Sequence, residues 1–250
     1  MFSLMPRTLQ ETLAGRRRIY LVRHGEVDYF DAEKKPQPQQ QVLLSERGVS
    51  QIQSLAAHLE PVPFDRVISS GLPRTDATAR ILSNSPVDTV EGLQEIVPGD
   101  IEALRSGETD TGFAELLLGA LSKNLTAETR FLGGERFGDF EARVVRAFRL
   151  LLADPDWHNI LVAAHGGTNR SILLHALGSN LSSFGALEQD PGCLNIIEVD
   201  PDQSLLVRLV NFTAYEPAKH GLRLTTMETI LHDLMGPADR HRSSPTTDPS

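Results

Sequence analysis

The sequence contains a single cysteine, Cys193, in 250 residues. One cysteine cannot form an internal disulfide bond, and it leaves no cysteine pair for a zinc ribbon or a dithiol redox motif. The composition therefore excludes a disulfide-rich secreted scaffold. A reducing cytoplasm is the compartment that we expect.

Basic residues are in the minority, with 24 Lys and Arg against 33 Asp and Glu and a net charge of −9. Broad attraction to nucleic acid needs the opposite balance, so we expect no nucleic-acid partner, and an anionic ligand would need a local cationic pocket. No apolar run approaches membrane-spanning length, and residues 1–18 lack the apolar core of a secretory signal. We therefore expect no membrane partner.

The length and an apolar content of 40% favour one globular domain. We predict this domain over residues 18–215, with an N-terminal extension over 1–17 and a C-terminal extension over 216–250. From residue 243 onward the chain contains Ser, Thr, Pro and Asp alone. Such a segment cannot bury enough apolar surface to become ordered, so we expect a disordered tail.

A unit of strand, loop and helix occurs three times along the chain. The predicted strands are 18–23, 64–69 and 160–164, and the helices that follow them are 45–59 with Ser45 as N-cap, one that starts at Pro73, and 168–177. This alternation predicts a single-domain three-layer α/β/α sandwich with a mainly parallel sheet. Ligands of such sheets bind beyond the carboxyl ends of the strands.

Three further segments complete the predicted fold. Residues 193–199 and 204–210 have the pattern of two more strands, and residues 135–152 that of a strongly amphipathic helix. Residues 95–134 have weaker periodicity. We interpret them as an insertion that lies over the site.

The predicted carboxyl ends of the strands carry Arg23, His24, Arg74 and His165. Phosphoryl transfer from an ester requires positive charge around the phosphoryl oxygens, an in-line nucleophile and an acid for the leaving alkoxide. A histidine whose reactive nitrogen is unprotonated can attack phosphorus and divide the displacement into two easier steps. These residue types together therefore point to phosphate-ester chemistry.

Five motifs follow one another along the chain. They are Arg23-His24-Gly25-Glu26, Leu44 to Gln51, Ser69 to Ala79, Leu93-Gln94-Glu95 with Gly99 to Glu102, and Gly133-Gly134-Glu135 followed by Ala164 to Thr168. In this order they resemble the motifs of the histidine phosphatase superfamily, also called the phosphoglycerate mutase-like family, and the resemblance extends from about Tyr20 to Val210. A lone Arg-His-Gly would be a weak signal, whereas this ordered series in matching strand and loop contexts is specific.

The resemblance implies a phosphatase of the phosphomonoesterase type with a phosphoglycerate mutase-like fold. It makes His24 the nucleophile and Glu95 the general acid, and it places Arg23, Arg74, His165 and Gly166 around the phosphoryl group. Arginine suits this role because its planar guanidinium can bind two phosphate oxygens at once. We expect a small phosphorylated metabolite as substrate, and neither a metal ion nor another cofactor, because these side chains supply the positive charge.

Two departures from the family pattern affect the interpretation. Val27 and Phe30 replace a Thr and an Asn that often follow the Arg-His-Gly-Glu motif, so Asp28, Tyr29 or the loop glutamines are candidates to shape the pocket instead. Ala103 stands where many members have glycine, so three nearby carboxylates compete with Glu95 for the role of general acid. These are Glu91, Glu102 and Glu108.

Other interpretations stay open at this point. Arg74 could pair with Asp65 or Asp76 at the surface, and Asn195 could lie near the pocket or cap a strand. A phosphoglycerate mutase is the second enzyme hypothesis, although Arg-Arg and Glu-Arg-His-Tyr stretches typical of those mutases are not evident. A non-catalytic phosphate-binding protein is the third. No segment predicts an oligomeric state, and the remaining histidines show no zinc-ligand spacing; they are His58, His158, His175, His220, His232 and His241.

Overall fold

A computed structural model describes residues 15–33, 35–101 and 125–235. Its six-stranded sheet has the order β3-β2-β4-β1-β5-β6. Strands β3, β2, β4 and β1 are parallel, whereas β5 and β6 are antiparallel additions at one edge. The bounds are β1 Arg17–Arg23, β2 Arg66–Ser69, β3 Val87–Thr89, β4 Asn159–Ala164, β5 Leu194–Val199 and β6 Leu205–Phe212. The prediction of a mainly parallel α/β sheet is confirmed.

Helices cover both faces of this sheet. They are α1 Glu46–Leu59, α2 Pro73–Leu82, α3 Phe137–Ala153 and α4 Gly166–Ala176, and a further helix, α5 Thr226–Met235, follows the last strand. As predicted, Ser45 caps α1, because its side chain accepts from the backbone N–H of Gly48, and Pro73 occupies the first turn of α2.

Alternation along the central strand β1 explains the layers. Ile19 and Leu21 pack on one face with α3 and α4, whereas Tyr20 and Val22 pack on the other with α1 and α2. Successive side chains of a strand point to opposite faces, so a continuous apolar run requires helices on both. The three-layer sandwich follows.

Three parallel strands bring the candidate residues to one edge of the sheet. Strand β4 lies between β2 and β1, and its register pairs Ala164 with Arg23 and Ala163 with Ser69. The residues that come directly after these strands, His24, Ser70 and His165, are therefore neighbours in space.

Some elements differ from the sequence predictions. Strand β2 starts at Arg66 rather than Phe64, and α4 starts at Gly166 rather than Thr168. Strand β3 and helix α5 were not predicted; α5 lies in the proposed C-terminal extension. The expected disordered tail and most of the expected insertion over 95–134 lie outside the described residues. Within the described ranges, no helix has both the length and the apolarity to cross a membrane.

Candidate active site

His24 lies at the centre of the carboxyl edge, in the loop that follows β1. Its backbone N–H donates to the carbonyl of Ala164 at 3.0 Å, and its side chain is 1% exposed. The ring Nδ1 lies 2.7 Å from the carbonyl oxygen of Gly25. Because a carbonyl can only accept, Nδ1 carries the proton, and Nε2 of the neutral ring presents a lone pair.

Burial keeps this ring neutral. Desolvation, reinforced by the guanidinium groups of Arg74 and Arg23, holds the pKa of His24 well below its usual value. An unprotonated imidazole is the form that can act as a nucleophile.

The loop after His24 lies directly against the start of α1. A Cβ atom at Gly25 would collide with the backbone of Gly48, and one at Gly48 would collide with the backbone of Glu26. Glycine at both positions therefore permits the close approach that places the His24 loop.

His165 lies beside His24, with the two ring centroids 5.2 Å apart. Its Nε2 is 2.8 Å from Ser70 Oγ, which is 2.9 Å from Thr75 Oγ1. Thr75 donates its own proton to the carbonyl of Leu72, so Ser70 donates to Thr75 and accepts from His165 Nε2–H. Nδ1 of His165 is then the unprotonated nitrogen, and it has no hydrogen-bond partner among the described residues.

Ser70 and Thr75 belong to the motif Ser69 to Ala79, but the sequence did not predict their hydrogen-bond relay to His165. Burial, followed by the positive charge of Arg74, holds the pKa of His165 well below its usual value. Both histidines are therefore neutral in the folded protein at neutral pH.

Arg23 and Arg74 contribute two buried guanidinium groups to the same site. Arg23 Nη1 donates to the carbonyl of Gln189 and to Thr226 Oγ1, the latter at 2.6 Å. Arg74, on the first turn of α2, donates to the backbone and side-chain oxygens of Gln39 at 3.1 and 3.4 Å. Neither Nε atom has a partner within the described residues. Both groups thus face neutral acceptors.

The surface alternative for Arg74 is wrong, because its side chain is only 1% exposed. Asp76 hydrogen-bonds Ser69, and Asp65 accepts from the backbone N–H groups of His158 and Asn159. Both aspartates therefore have other partners than this guanidinium group.

Glu95 reaches the site from the segment after β3. Its Oε2 accepts from the backbone N–H of Gly167, at the start of α4, and its Oε1 accepts from that of Ile96, both at 3.0 Å. A Cβ atom at Gly167 would collide with Oε1, so any other residue there would move the Glu95 carboxylate from this position. Arg143 donates to the carbonyl oxygens of Gly92, Gln94 and Glu95 and fixes the segment.

Of the three competitors of Glu95, Glu91 is exposed, whereas Glu102 and Glu108 lie outside the described residues. Asn195 is fully buried; it donates to the carbonyl of Leu21 and pairs with Gln189, whose own carbonyl accepts from Arg23. Asn195 therefore helps to position Arg23 rather than lining a cavity.

Two cavities adjoin the site. The smaller, of about 170 Å³, is lined by Arg23, Arg74, Glu95 and Gly166, and the larger, of about 590 Å³, by Arg23 and His24. Five residues line both cavities: Arg23, Tyr29, Phe30, Thr226 and Ile230. His165 lines neither. No group of three His, Cys, Asp or Glu side chains suited to a metal ion occurs in the described part of the chain.

The neutral histidines predict a loss of stability in mild acid. In the unfolded chain each of these two histidines binds a proton near pH 6.5, whereas in the folded chain both stay neutral at that pH. The free energy of unfolding therefore falls as the pH decreases below that value, by about 1.4 kcal/mol per pH unit for each group. His24→Asn should reduce this slope by one such increment, because asparagine does not titrate. The exposed variant His58→Asn is the control. Urea unfolding between pH 7 and 5 measures both slopes, and equal slopes for His24→Asn and the parent would contradict the assignment.

The carboxyl edge of this α/β sheet thus gathers two neutral histidines, two buried arginines and a glutamate, an arrangement suited to binding a phosphate group in a hydrolase. Comparison with known families agrees. The family model of the histidine phosphatase superfamily (branch 1) matches residues 19–212. The chain belongs to this superfamily.

Named relatives within the superfamily are phosphatases and mutases. The chain is 29% identical over 204 residues to the adenosylcobalamin/alpha-ribazole phosphatase of Escherichia coli K12, covering 79% of this chain and 97% of that protein. A probable phosphoglycerate mutase GpmB of Salmonella paratyphi A is 29% identical over 60% of this chain and 69% of its own. The alpha-ribazole phosphatase structure from Shigella flexneri superposes with a TM-score of 0.65 at 25% identity, over 78% of this chain and 96% of that one.

Proposed function

We propose that this chain hydrolyses a small phosphate monoester through a phosphohistidine intermediate on His24. The observation that carries the proposal is the tautomer of His24: its Nδ1–H is held by the Gly25 carbonyl, which leaves Nε2 unprotonated between two buried guanidinium groups. A neutral nucleophile in a cationic pocket is what attack on a phosphate dianion requires.

In the first step, Nε2 of His24 attacks phosphorus. The N–P bond forms as the ester P–O bond breaks, and protonated Glu95 gives its proton to the departing oxygen. Arg23, Arg74 and the N-terminal turn of α4 at Gly166 bind the phosphoryl oxygens. A substrate that arrives as the monoanion can give its proton to the unpartnered Nδ1 of His165, which then donates that proton in a hydrogen bond to the resulting dianion.

In the second step, water replaces the histidine. The Glu95 carboxylate accepts a proton from the water as its oxygen bonds to phosphorus and the N–P bond breaks, so that inorganic phosphate leaves and His24 returns to its neutral form. Transfer to a sugar acid instead of water would give a mutase.

The phosphoryl group competes with a neutral partner of Arg74 and finds a free donor on Arg23. Gln39 occupies two donors of Arg74, whereas Nε of Arg23 has no partner within the described residues. A phosphate oxygen forms shorter and stronger charge-assisted hydrogen bonds with guanidinium than a neutral oxygen does. An incoming dianion can therefore replace Gln39 and bind Nε of Arg23 while Thr226 keeps its bond to Nη1.

Phosphate release from a panel of monoesters tests the proposal. We expect inorganic phosphate from an aryl phosphate and from at least one metabolite-like monoester. Conversion of 3-phosphoglycerate to its isomer without phosphate release would favour the mutase alternative, and neither turnover nor covalent labelling would favour the binding protein.

We also expect no metal requirement. The guanidinium groups supply the charge that a divalent ion provides in metal-dependent phosphatases. Activity on the aryl phosphate should be unchanged after dialysis against EDTA. Loss of activity that added Mg²⁺ or Zn²⁺ restores would contradict this.

A further inference from the structure

Helix α5 lies over the active site although it follows the last residue that the family model matches, Phe212. Its start is fixed by a capping box. Thr225 Oγ1 accepts from the backbone N–H of Glu228, and Glu228 Oε2 accepts from the backbone N–H of Thr225 at 2.7 Å. These reciprocal bonds satisfy donors that the first turn leaves free. The capping box therefore sets the N-terminus of α5 through local contacts.

The helix is joined to the phosphate pocket at its first residue. Thr226 Oγ1 accepts from Arg23 Nη1 at 2.6 Å. One turn further, Ile230 lies on the same face, and it lines the smaller cavity together with Thr226 and Met227. The position of α5 thus determines the shape of the space beside the candidate phosphate ligands.

The lining of that space is mainly apolar away from Arg23, Arg74 and Glu95. Its principal apolar side chains are Phe30, Ile96, Ile101, Phe131, Met227 and Ile230. Phe30 contributes an aromatic ring to this lining. The volume of about 170 Å³ is similar to the roughly 150 Å³ of an apolar protein cavity that binds benzene.

Beyond Arg23 and Arg74, which bind the phosphoryl group, the described lining offers a second anionic group one cation, and that cation is already paired. Arg170, the remaining described cation there, is paired with Glu188 at 2.8 Å and donates to the carbonyl of Leu187. Placing a carboxylate or several hydroxyl groups against apolar walls costs free energy because their hydration is lost. An apolar group gains free energy in the same place.

We infer that α5 forms one wall of the leaving-group pocket and selects monoesters whose alcohol carries an apolar group of about one ring. The inference rests on the proposed function for the identity of the phosphate end of the pocket. Met227 and Ile230 are its specificity-determining residues. Compact, polar sugar-acid phosphates are poor substrates for this pocket.

Binding of two non-hydrolysable probes tests the inference independently of turnover. In calorimetry the full chain should bind phenylphosphonate about tenfold more tightly than methylphosphonate, because the ring is removed from water. Ile230→Ala should weaken the binding of phenylphosphonate about fivefold and leave the binding of methylphosphonate unchanged, because only the ring loses contacts. Leu150→Ala is the matched control, since Leu150 is 69% exposed on α3.

A second variant keeps the test valid if Ile230→Ala disturbs folding. Glu228→Ala removes the capping box from an exposed position, so it should loosen α5 and lower the preference for phenylphosphonate without altering a cavity side chain. Equal binding of both probes by the parent overturns the inference. So does an equal loss for both probes in Ile230→Ala.

The two hypotheses fail in different ways. If the chain prefers phenylphosphonate but releases no phosphate from phenyl phosphate, the inference about α5 stands and the proposed hydrolysis is wrong. If it hydrolyses methyl and phenyl phosphate with equal KM, the proposed hydrolysis stands and the role of α5 is wrong.

Discussion

Replacing His24 with alanine is expected to lower kcat/KM for phenyl phosphate by about four orders of magnitude or more, as removal of a covalent nucleophile does in other hydrolases. Among the described residues, the ring beside His24 is that of His165, and its unpartnered Nδ1 is buried, in a side chain that lines neither cavity. Water alone would have to attack the bound ester.

Steady-state phosphate release by the folded variant measures this effect. Circular dichroism checks the fold, and His58→Ala, in an exposed position on α1, controls for loss of a histidine without loss of the site. Near-parental turnover of folded His24→Ala would remove His24 from the mechanism.

Replacing Glu95 with glutamine should produce an effect that depends on the leaving group. An alkoxide must be protonated as its bond to phosphorus breaks, whereas a nitrophenolate leaves without help. Glutamine keeps the size and can accept from Gly167 N–H, but it has no proton to transfer. We expect about 10²- to 10⁴-fold slower phosphorylation of His24 by alkyl phosphates and a much smaller change with 4-nitrophenyl phosphate.

Single-turnover phosphorylation rates with the two ester classes make the comparison. Glu91→Gln is the matched control, because Glu91 is an exposed carboxylate four residues away in the same segment. If Glu95→Gln slows both ester classes by the same factor, Glu95 holds the N-terminus of α4 in place and is not the acid.

The elements that carry the site could be predicted because their signals are local. The run Ile19 to Val22 is apolar at every position, which is typical of a strand covered on both faces, and Ser45 and Pro73 mark helix starts through their own chemistry. Parallel strands then bring His24 and His165 to one edge without further information.

The contacts that refine the site could not be predicted, because they join segments far apart in the chain. Gln39 reaches Arg74 from a loop whose path has no periodic pattern, and the Ser70–Thr75 relay to His165 depends on side-chain rotamers. Helix α5 is a different case. The spacing of Thr225 and Glu228 is a capping-box signal that was present in the sequence and could have predicted its start.

Mass spectrometry of the quenched enzyme detects a phosphoryl group on His24 without any assumption about the later steps. Glu95→Gln is mixed with 4-nitrophenyl phosphate, because loss of the base should slow hydrolysis of the intermediate more than its formation, and the reaction is stopped in alkaline detergent. We predict one phosphoryl group per chain, located on His24 by peptide mapping, lost on brief acid treatment and absent from His24→Ala. A phosphoryl group on another residue, or turnover by the parent chain with no acid-labile phosphate on His24, would contradict the account.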